Sequence, residues 1–189
     1  MQVDVLGVPI EFTPREGVFS PGAPDAGTLA MLRAARIQPG APEKVLDLGC
    51  GCGLVGIYCA KLLGQQSVTM LDVDPVAVEC ARANCLLNGL SDLRPIVSDA
   101  YDALDDAGFT LIMSNPPYHA DFAVPRRFIE KGFNRLKLGG RLMMVTKRKD
   151  WYKNKLISVF GGVHIEEADG YFVFTAEKRS TRYASGRAR

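Results

Sequence analysis

Val45-Leu-Asp-Leu-Gly-Cys-Gly-Cys-Gly-Leu-Val-Gly56 joins an apolar run directly to a chain of glycines. Lys44–Leu48 reads as a buried strand, and Leu54–Leu63 as a helix closed by Gly64. Between them, Asp47-x-Gly49-x-Gly51-x-Gly53 lets the backbone turn sharply and approach a ligand closely. Gly51-Cys-Gly53-Leu-Val-Gly56 also satisfies G-x-G-x-x-G, the strand–turn–helix fingerprint of a nucleotide-binding unit. The next strand ends at Asp72, at the distance where a carboxylate meets ribose hydroxyls, with Val73 beside it. Asp47 precedes the first glycine, where its charge would repel a pyrophosphate and attract an amino group. That selects S-adenosylmethionine over a nicotinamide dinucleotide.

On either side of this unit the chain alternates. Val3–Leu6 and Val8–Phe12 flank Gly7 as a short hairpin, and 13–24 is a Pro/Gly-rich loop. Asp25 caps a helix through Ile37, stopped by Gln38-Pro39-Gly40. Ser67–Leu71 is a strand, and Pro75 opens a helix to Leu87 before Asn88-Gly89. Leu93–Val97 and Phe109–Met113 are strands, and Val124–Leu138 is a helix that Gly139-Gly140 stops. Arg141–Thr146 is a strand, Trp151–Phe160 a helix, and Val163–Glu167 and Tyr171–Thr175 a closing pair about Asp169-Gly170. The pattern predicts an α/β fold: one Rossmann-like, doubly wound domain on a mostly parallel seven-stranded sheet, with a C-terminal antiparallel hairpin strand. Residues 1–178 form that domain, its first 40 residues an extension of hairpin, loop and helix, and 179–189 a basic flexible tail.

Asn115-Pro116-Pro117-Tyr118 lies at the far end of the Phe109–Met113 strand, on the edge where open α/β sheets bind ligands. A planar amine in a base or amide has its lone pair drawn into the π system. The Asn115 side-chain oxygen and the Pro116 carbonyl can accept from its two N–H groups and hold the nitrogen toward a sulfonium. Pro117 stiffens the loop and Tyr118 offers a face for stacking. Asp99, in Val97-Ser-Asp-Ala100, is positioned to accept from an adenine amino group.

Composition narrows the partners. At 189 residues with 47% hydrophobic and 23% charged residues, the chain is an ordinary globular domain. It has no apolar run long enough for a membrane helix, and its first residues do not resemble a signal peptide. Five cysteines and two histidines lack ligand spacing, so no metal is expected, the thiols are reduced and the location is cytoplasmic. The net charge of +2 hides a partition. Residues 1–123 carry −8, while 124–155, just beyond Asn115, carry +9. A basic segment there suits a polyanion, with Lys147, Arg148 and Lys149 as phosphate contacts.

Together these motifs resemble the class I S-adenosylmethionine-dependent amino-methyltransferases. The closer resemblance is to the small-domain methyltransferases related to the bacterial ribosomal RNA guanine-N2 methylases. Gly17-Val-Phe-Ser20, Asp25-x-Gly27-Thr28 and Leu138-Gly-Gly-Arg-Leu142 are similar to segments of that family. The resemblance implies cofactor binding by Asp47, Gly49, Gly51, Gly53, Asp72, Val73, Asp99, Ala100 and Asn115. It implies target-amine binding by Asn115, Pro116 and Tyr118, with Phe19 and His119 lining the substrate side. The family's ribosomal members often carry an additional N-terminal domain and commonly have Phe where Tyr118 stands. The expected activity is methylation of an exocyclic amine in RNA, guanine N2 of ribosomal RNA first. Methylation of a protein glutamine amide or of DNA adenine N6 are the alternatives, followed by a non-catalytic RNA-binding role.

Overall fold

In the computed structural model, which describes residues 1–13, 24–116 and 121–185, the apolar strand before the glycines is β3 (Val45–Leu48), buried along its whole length. It is preceded by a hairpin of β1 (Gln2–Val5) and β2 (Val8–Glu11) and by α1 (Ala26–Ala35). After it come α2 (Leu54–Leu63), β4 (Val68–Asp72), α3 (Pro75–Leu87), β5 (Ile96–Val97) and β6 (Phe109–Ser114). The chain closes with α4 (Ala123–Arg135), β7 (Leu136–Thr146), α5 (Asp150–Phe160), β8 (His164–Ala168) and β9 (Tyr171–Glu177). The seven-stranded sheet has the order β5-β4-β3-β6-β7-β9-β8, parallel from β5 to β7 and antiparallel across β9 and β8. This is the expected α/β architecture.

The strands alternate between two cores. Val45, Met70, Leu111, Met113, Met143 and Val173 face α1, α2, α3 and the hairpin. Leu46, Leu71, Ile112, Leu142, Met144 and Phe174 face α4 and α5. A fully buried aliphatic or aromatic side chain contributes roughly 1.5–3 kcal/mol, so covering both faces is what makes the parallel sheet stable. The chain leaves β3 toward β4 and returns to pair β6 on the other side. That reversal opens a crevice at the carboxyl ends of β3, β4 and β6, where open α/β sheets take their ligands.

Three expected elements shift. The strand expected over Leu93–Val97 shrinks to Ile96–Val97. Pro95 has no N–H for the ladder, and its carbonyl accepts from the Arg82 guanidinium instead, at 3.0 and 3.3 Å. The helix expected to run to Leu138 ends at Arg135, and Leu136 begins an 11-residue strand. Here Leu136 pairs with Phe109 and is buried, and Gly139-Gly140 forms an irregularity within β7 rather than a helix stop. A Cβ at Gly140 would lie 2.7 Å from the Phe109 carbonyl oxygen. Finally, α1 ends at Arg36 in the left-handed region rather than at Gln38-Pro39-Gly40.

Within the expected tail, the described residues dock on the domain. The Tyr183 hydroxyl donates to the Glu130 carbonyl at 2.9 Å, and its ring meets Phe133 edge-on at 5.0 Å. Ala184 and Ser185 donate backbone N–H groups to α5 carbonyls.

Candidate active site

Gly49 and Cys50 both donate backbone N–H groups to the Leu71 carbonyl, at 2.8 and 2.9 Å. That doubling of donors ties the glycine loop to the end of β4. Gly49, Gly51 and Gly53 all have positive φ, which a side chain would strain. Gly53 is also needed for contact: a Cβ there would sit 2.9 Å from Met70 and 3.2 Å from Ala81, so α2 could not pack so closely on β4 and α3.

Two carboxylates hold this loop. Asp72 accepts from the Gly51 N–H at 2.8 Å and, through its other oxygen, from the Asp74 N–H at 3.0 Å. Asp47 accepts from the Gly56 N–H at 2.8 Å, in the first turn of α2. Asp47 is 3% exposed, and burial pushes its pKa up to about 7. The Gly56 bond opposes the rise, and the charge of Asp72 adds to it. A buried acid beside a second acid is stabilised by a cation between solvent and itself. The pair therefore fits a ligand that brings positive charge to this end of the crevice.

Around them a cavity of about 430 Å³ is lined by Asp47, Gly49, Gly51, Asp72, Val73, Asp99, Ala100, Asn115 and Pro116. Nine of the expected site residues thus share one space of a size that suits a small ligand. Ser98 shapes its far wall by donating to the Ala100 carbonyl at 2.9 Å and accepting from the Ala103 N–H at 3.0 Å. Asp99 has acquired a partner: Arg127 Nη1 lies 2.6 Å from its carboxylate, which remains largely exposed.

At the other end, β6 delivers Asn115 beside the start of α1. Its Nδ2 donates to Asp25 Oδ2 and to Thr28 Oγ1, each at 2.9 Å. Asp25 caps α1 by accepting from the Thr28 N–H, and its second oxygen accepts from the Tyr171 hydroxyl at 3.2 Å. Asp25 and Thr28 line the cavity, as do Phe12 of the hairpin side and Val124 and Phe128 of α4. Sequence reading identified Asp25 as a helix cap and gave Thr28 and Tyr171 no role at the site. Their partner lies 87 to 146 residues away in the pairs above, and no local pattern reports it.

Lys147, Arg148 and Lys149 follow β7 and are exposed outside the cavity lining. Each stands over a ring: Lys147 over Tyr171, Arg148 over Phe122 and Lys149 over Phe172, at 4.9 to 5.1 Å. Phe122 in turn stacks on Trp151 with ring centres 4.4 Å apart. The three cations were expected from the sequence, whereas the aromatic stack beside them was not, because Phe122 and Trp151 are 29 positions apart in the chain. Pro117, Tyr118, His119 and Phe19 lie outside the described residues. No group of three or more metal-ligating side chains occurs among the described residues, and none of their helices is long and apolar enough to cross a membrane. The five cysteines are unbridged and buried.

The sequence matches the family described as the methyltransferase small domain over residues 9–175. It is 31% identical over 175 residues to ribosomal RNA small subunit methyltransferase C of Pseudomonas putida, covering 90% of this chain and 52% of that protein. It is 31% identical over 172 residues to Bacillus subtilis YbxB, covering 88% of this chain and 85% of that one. Among solved structures, the 16S rRNA N2 G1207 methyltransferase RsmC of T. thermophilus, in complex with AdoMet and guanosine, superposes with a TM-score of 0.83. It is 28% identical, with 95% of this chain and 50% of that one covered. The chain thus spans about half the length of the ribosomal RNA methyltransferases it matches.

Proposed function

The chain belongs to the methyltransferase small domain family, and on that premise we propose that it transfers a methyl group from S-adenosylmethionine to an exocyclic amine of an RNA base. Guanine N2 of ribosomal RNA is the first candidate, in line with the names of the relatives and with the guanosine held by the T. thermophilus structure. A ribosomal substrate agrees with a cytoplasmic location, and residues 1–178 are read as the catalytic unit.

One observation carries the reading. The buried acid Asp47, the glycine loop and the Asn115 amide share a single cavity at the topological reversal of the sheet. In this reading Asp47 meets the cationic amino group of the cofactor, Asp72 and Val73 meet its ribose, and the turn at Asp99 and Ala100 borders its adenine. The bound cofactor supplies an electrophilic methyl on a sulfonium. What the chain must add is orientation. Asn115 Oδ1 and the Pro116 carbonyl accept from the N–H groups of the target amine and turn its lone pair toward the methyl. No strong base is required, because the sulfonium is already a strong electrophile. Lys147, Arg148 and Lys149, beside the Phe122–Trp151 stack, provide charge and rings for the backbone and bases of an RNA strand.

The test is transfer of radiolabelled methyl from S-adenosylmethionine to parallel samples: total RNA, isolated ribosomal subunits, DNA and a protein extract. We expect label in an RNA sample, and a loss of about 100-fold or more in Asn115→Ala with cofactor affinity nearly unchanged. Label confined to protein would replace this reading with glutamine-amide methylation. Undiminished turnover by Asn115→Ala would remove the role assigned to that residue.

A further inference from the structure

A primary amide presents two ends of nearly equal shape. Rotation by half a turn about its last side-chain bond exchanges an oxygen, which accepts, for an NH2, which donates. Only the oxygen is useful to a target amine. With the amide reversed, donors would face donors and the amine would lose its hydrogen bond. Something has to choose the orientation of Asn115.

The choice is made by the start of α1. Asp25 Oδ2 lies 2.9 Å from one end of the Asn115 amide, and an ionised carboxylate only accepts, so that end is the nitrogen. The second N–H of the same nitrogen goes to Thr28 Oγ1 at 2.9 Å. Thr28 passes the direction on: its hydroxyl accepts from Asn115 and leans toward Asp25 Oδ2 at 3.4 Å, and its N–H donates there at 2.9 Å. Both amide hydrogens of Asn115 are therefore committed within the protein, which sets the oxygen at the opposite end of the amide.

Asp25 is itself held. The Tyr171 hydroxyl, from the first residue of β9, donates to Asp25 Oδ1 at 3.2 Å. The buried Tyr171 ring reaches that position because residue 27 is glycine: a Cβ there would lie 2.6 Å from the ring. Three elements far apart in the chain, α1, β6 and β9, thus converge on one carboxylate. We propose that Asp25, supported by Thr28 and Tyr171, is a positioning residue that fixes the Asn115 amide with its oxygen toward the target amine. The inference rests on the role given to Asn115 above and extends it to residues outside the Asn-Pro-Pro-Tyr motif.

Asp25→Asn tests it. Asparagine caps a helix as well as aspartate and has the same shape. It holds Asn115 less firmly than a carboxylate: in the capping orientation a neutral oxygen accepts from Asn115 in place of a charged one, and in the turned orientation its NH2 admits the reversed Asn115 amide. The measurements are kcat and KM for methyl transfer to the RNA labelled by the parent protein, cofactor affinity by calorimetry, and Tm. In Asp25→Asn we expect kcat to fall about threefold or more, as a charged acceptor gives way to a neutral one that can also turn, with cofactor affinity and Tm retained. Tyr171→Phe, which frees one oxygen of Asp25, lowers kcat by a smaller factor. A pair of exchanged groups gives the second arm. Asn115→Asp sets two carboxylates against each other, and adding Asp25→Asn restores a donor facing an acceptor, so the double variant regains activity over Asn115→Asp alone. Full kcat in Asp25→Asn while Asn115→Ala is inactive would reduce Asp25 to a helix cap and overturn the proposal. So would a double variant no better than Asn115→Asp, which also decides the matter if Asp25→Asn lowers Tm. Turnover by Asn115→Ala would instead strike the underlying reading, leaving the two failures distinct.

Discussion

Asp47 is the only buried carboxylate among the described residues, and its environment makes a pH dependence that can be worked out. Burial raises its folded-state pKa from 3.8 to about 7, with the Asp72 charge adding and the Gly56 N–H opposing. An acid raised on folding favours the folded state below its unfolded pKa and withdraws that support as pH climbs toward the folded one. The ligand-free protein therefore loses stability from this group between about pH 4 and pH 7. A cationic ligand reverses the balance, because it needs the ionised form. We expect cofactor affinity to rise about tenfold from pH 6 to pH 8, the change in ionised fraction for an acid near 7. Calorimetry in buffers of different ionisation heat should register proton release across the same range. Asp47→Asn should bind more weakly and lose most of the slope; a slope unchanged in that variant would assign the titration to another group. The place of Asp47 before the glycines was legible in the sequence, because strand end and loop are contiguous. The Asp25–Asn115 pairing was not, since 90 residues separate the partners and neither carries a local sign of the other.

Elements bounded by covalent punctuation were readable to the residue. Gly53 and Gly64 bracket α2, and Asp74-Pro75 and Asn88-Gly89 bracket α3, so backbone chemistry set both ends. The junction of α4 and β7 carries no such mark. Phe133 and Leu136 keep the three-residue spacing of a helix, yet Leu136 is drawn into the ladder opposite Phe109. Tertiary pairing prevails over local periodicity there. The glycines then serve β7: the Gly139 N–H donates to the Lys178 carbonyl and the Gly140 carbonyl accepts from the Lys178 N–H, both at 2.8 Å. Gly140→Ala would drive a methyl against the Phe109 and Lys137 carbonyl oxygens, at 2.7 and 3.0 Å, and against Leu136. Backbone oxygens cannot step aside as side chains do. We expect a loss of roughly 1–3 kcal/mol in urea unfolding. Gly162→Ala, whose added methyl meets nothing within 4 Å, is the control and should be close to neutral. Equal midpoints for the two variants would contradict the tight passage at Gly140.

Over the whole molecule, charge and architecture divide in the same place. The strands that line the cavity, β3, β4 and β6, belong to the acidic first part of the chain, and the basic segment supplies α4, β7 and α5. Lys147 and Lys149 stand just beyond the carboxyl end of β7, on the end face of the sheet, over rings from its two sides: Tyr171 from the α1 side and Phe172 from the α5 side. If this face binds phosphates, Lys147→Gln with Lys149→Gln should lower the salt slope of RNA binding by about 2, one for each lysine. Cofactor affinity should be unaffected. Anisotropy titrations across a salt series measure it, and an unchanged slope would return these lysines to plain solvated surface. The charge partition was visible in the sequence, whereas the Phe122–Trp151 stack beside it depends on how α4 and α5 pack.

The two ends of the sheet have a consequence for how the protein behaves at high concentration. An unpaired strand is a template for a second copy, and sheets that leave one long, flat and apolar tend to stack. At one end β5 offers only Ile96 and Val97, immediately after a proline. At the other, β8 carries Glu166 and Glu167 at its centre, with His164 beside Glu166. Another molecule approaching this end would bring the same carboxylates and be repelled by them. One border is too short to template growth and the other is guarded by like charge, so crowding brings these molecules together without aligning their strands into a continuous ribbon.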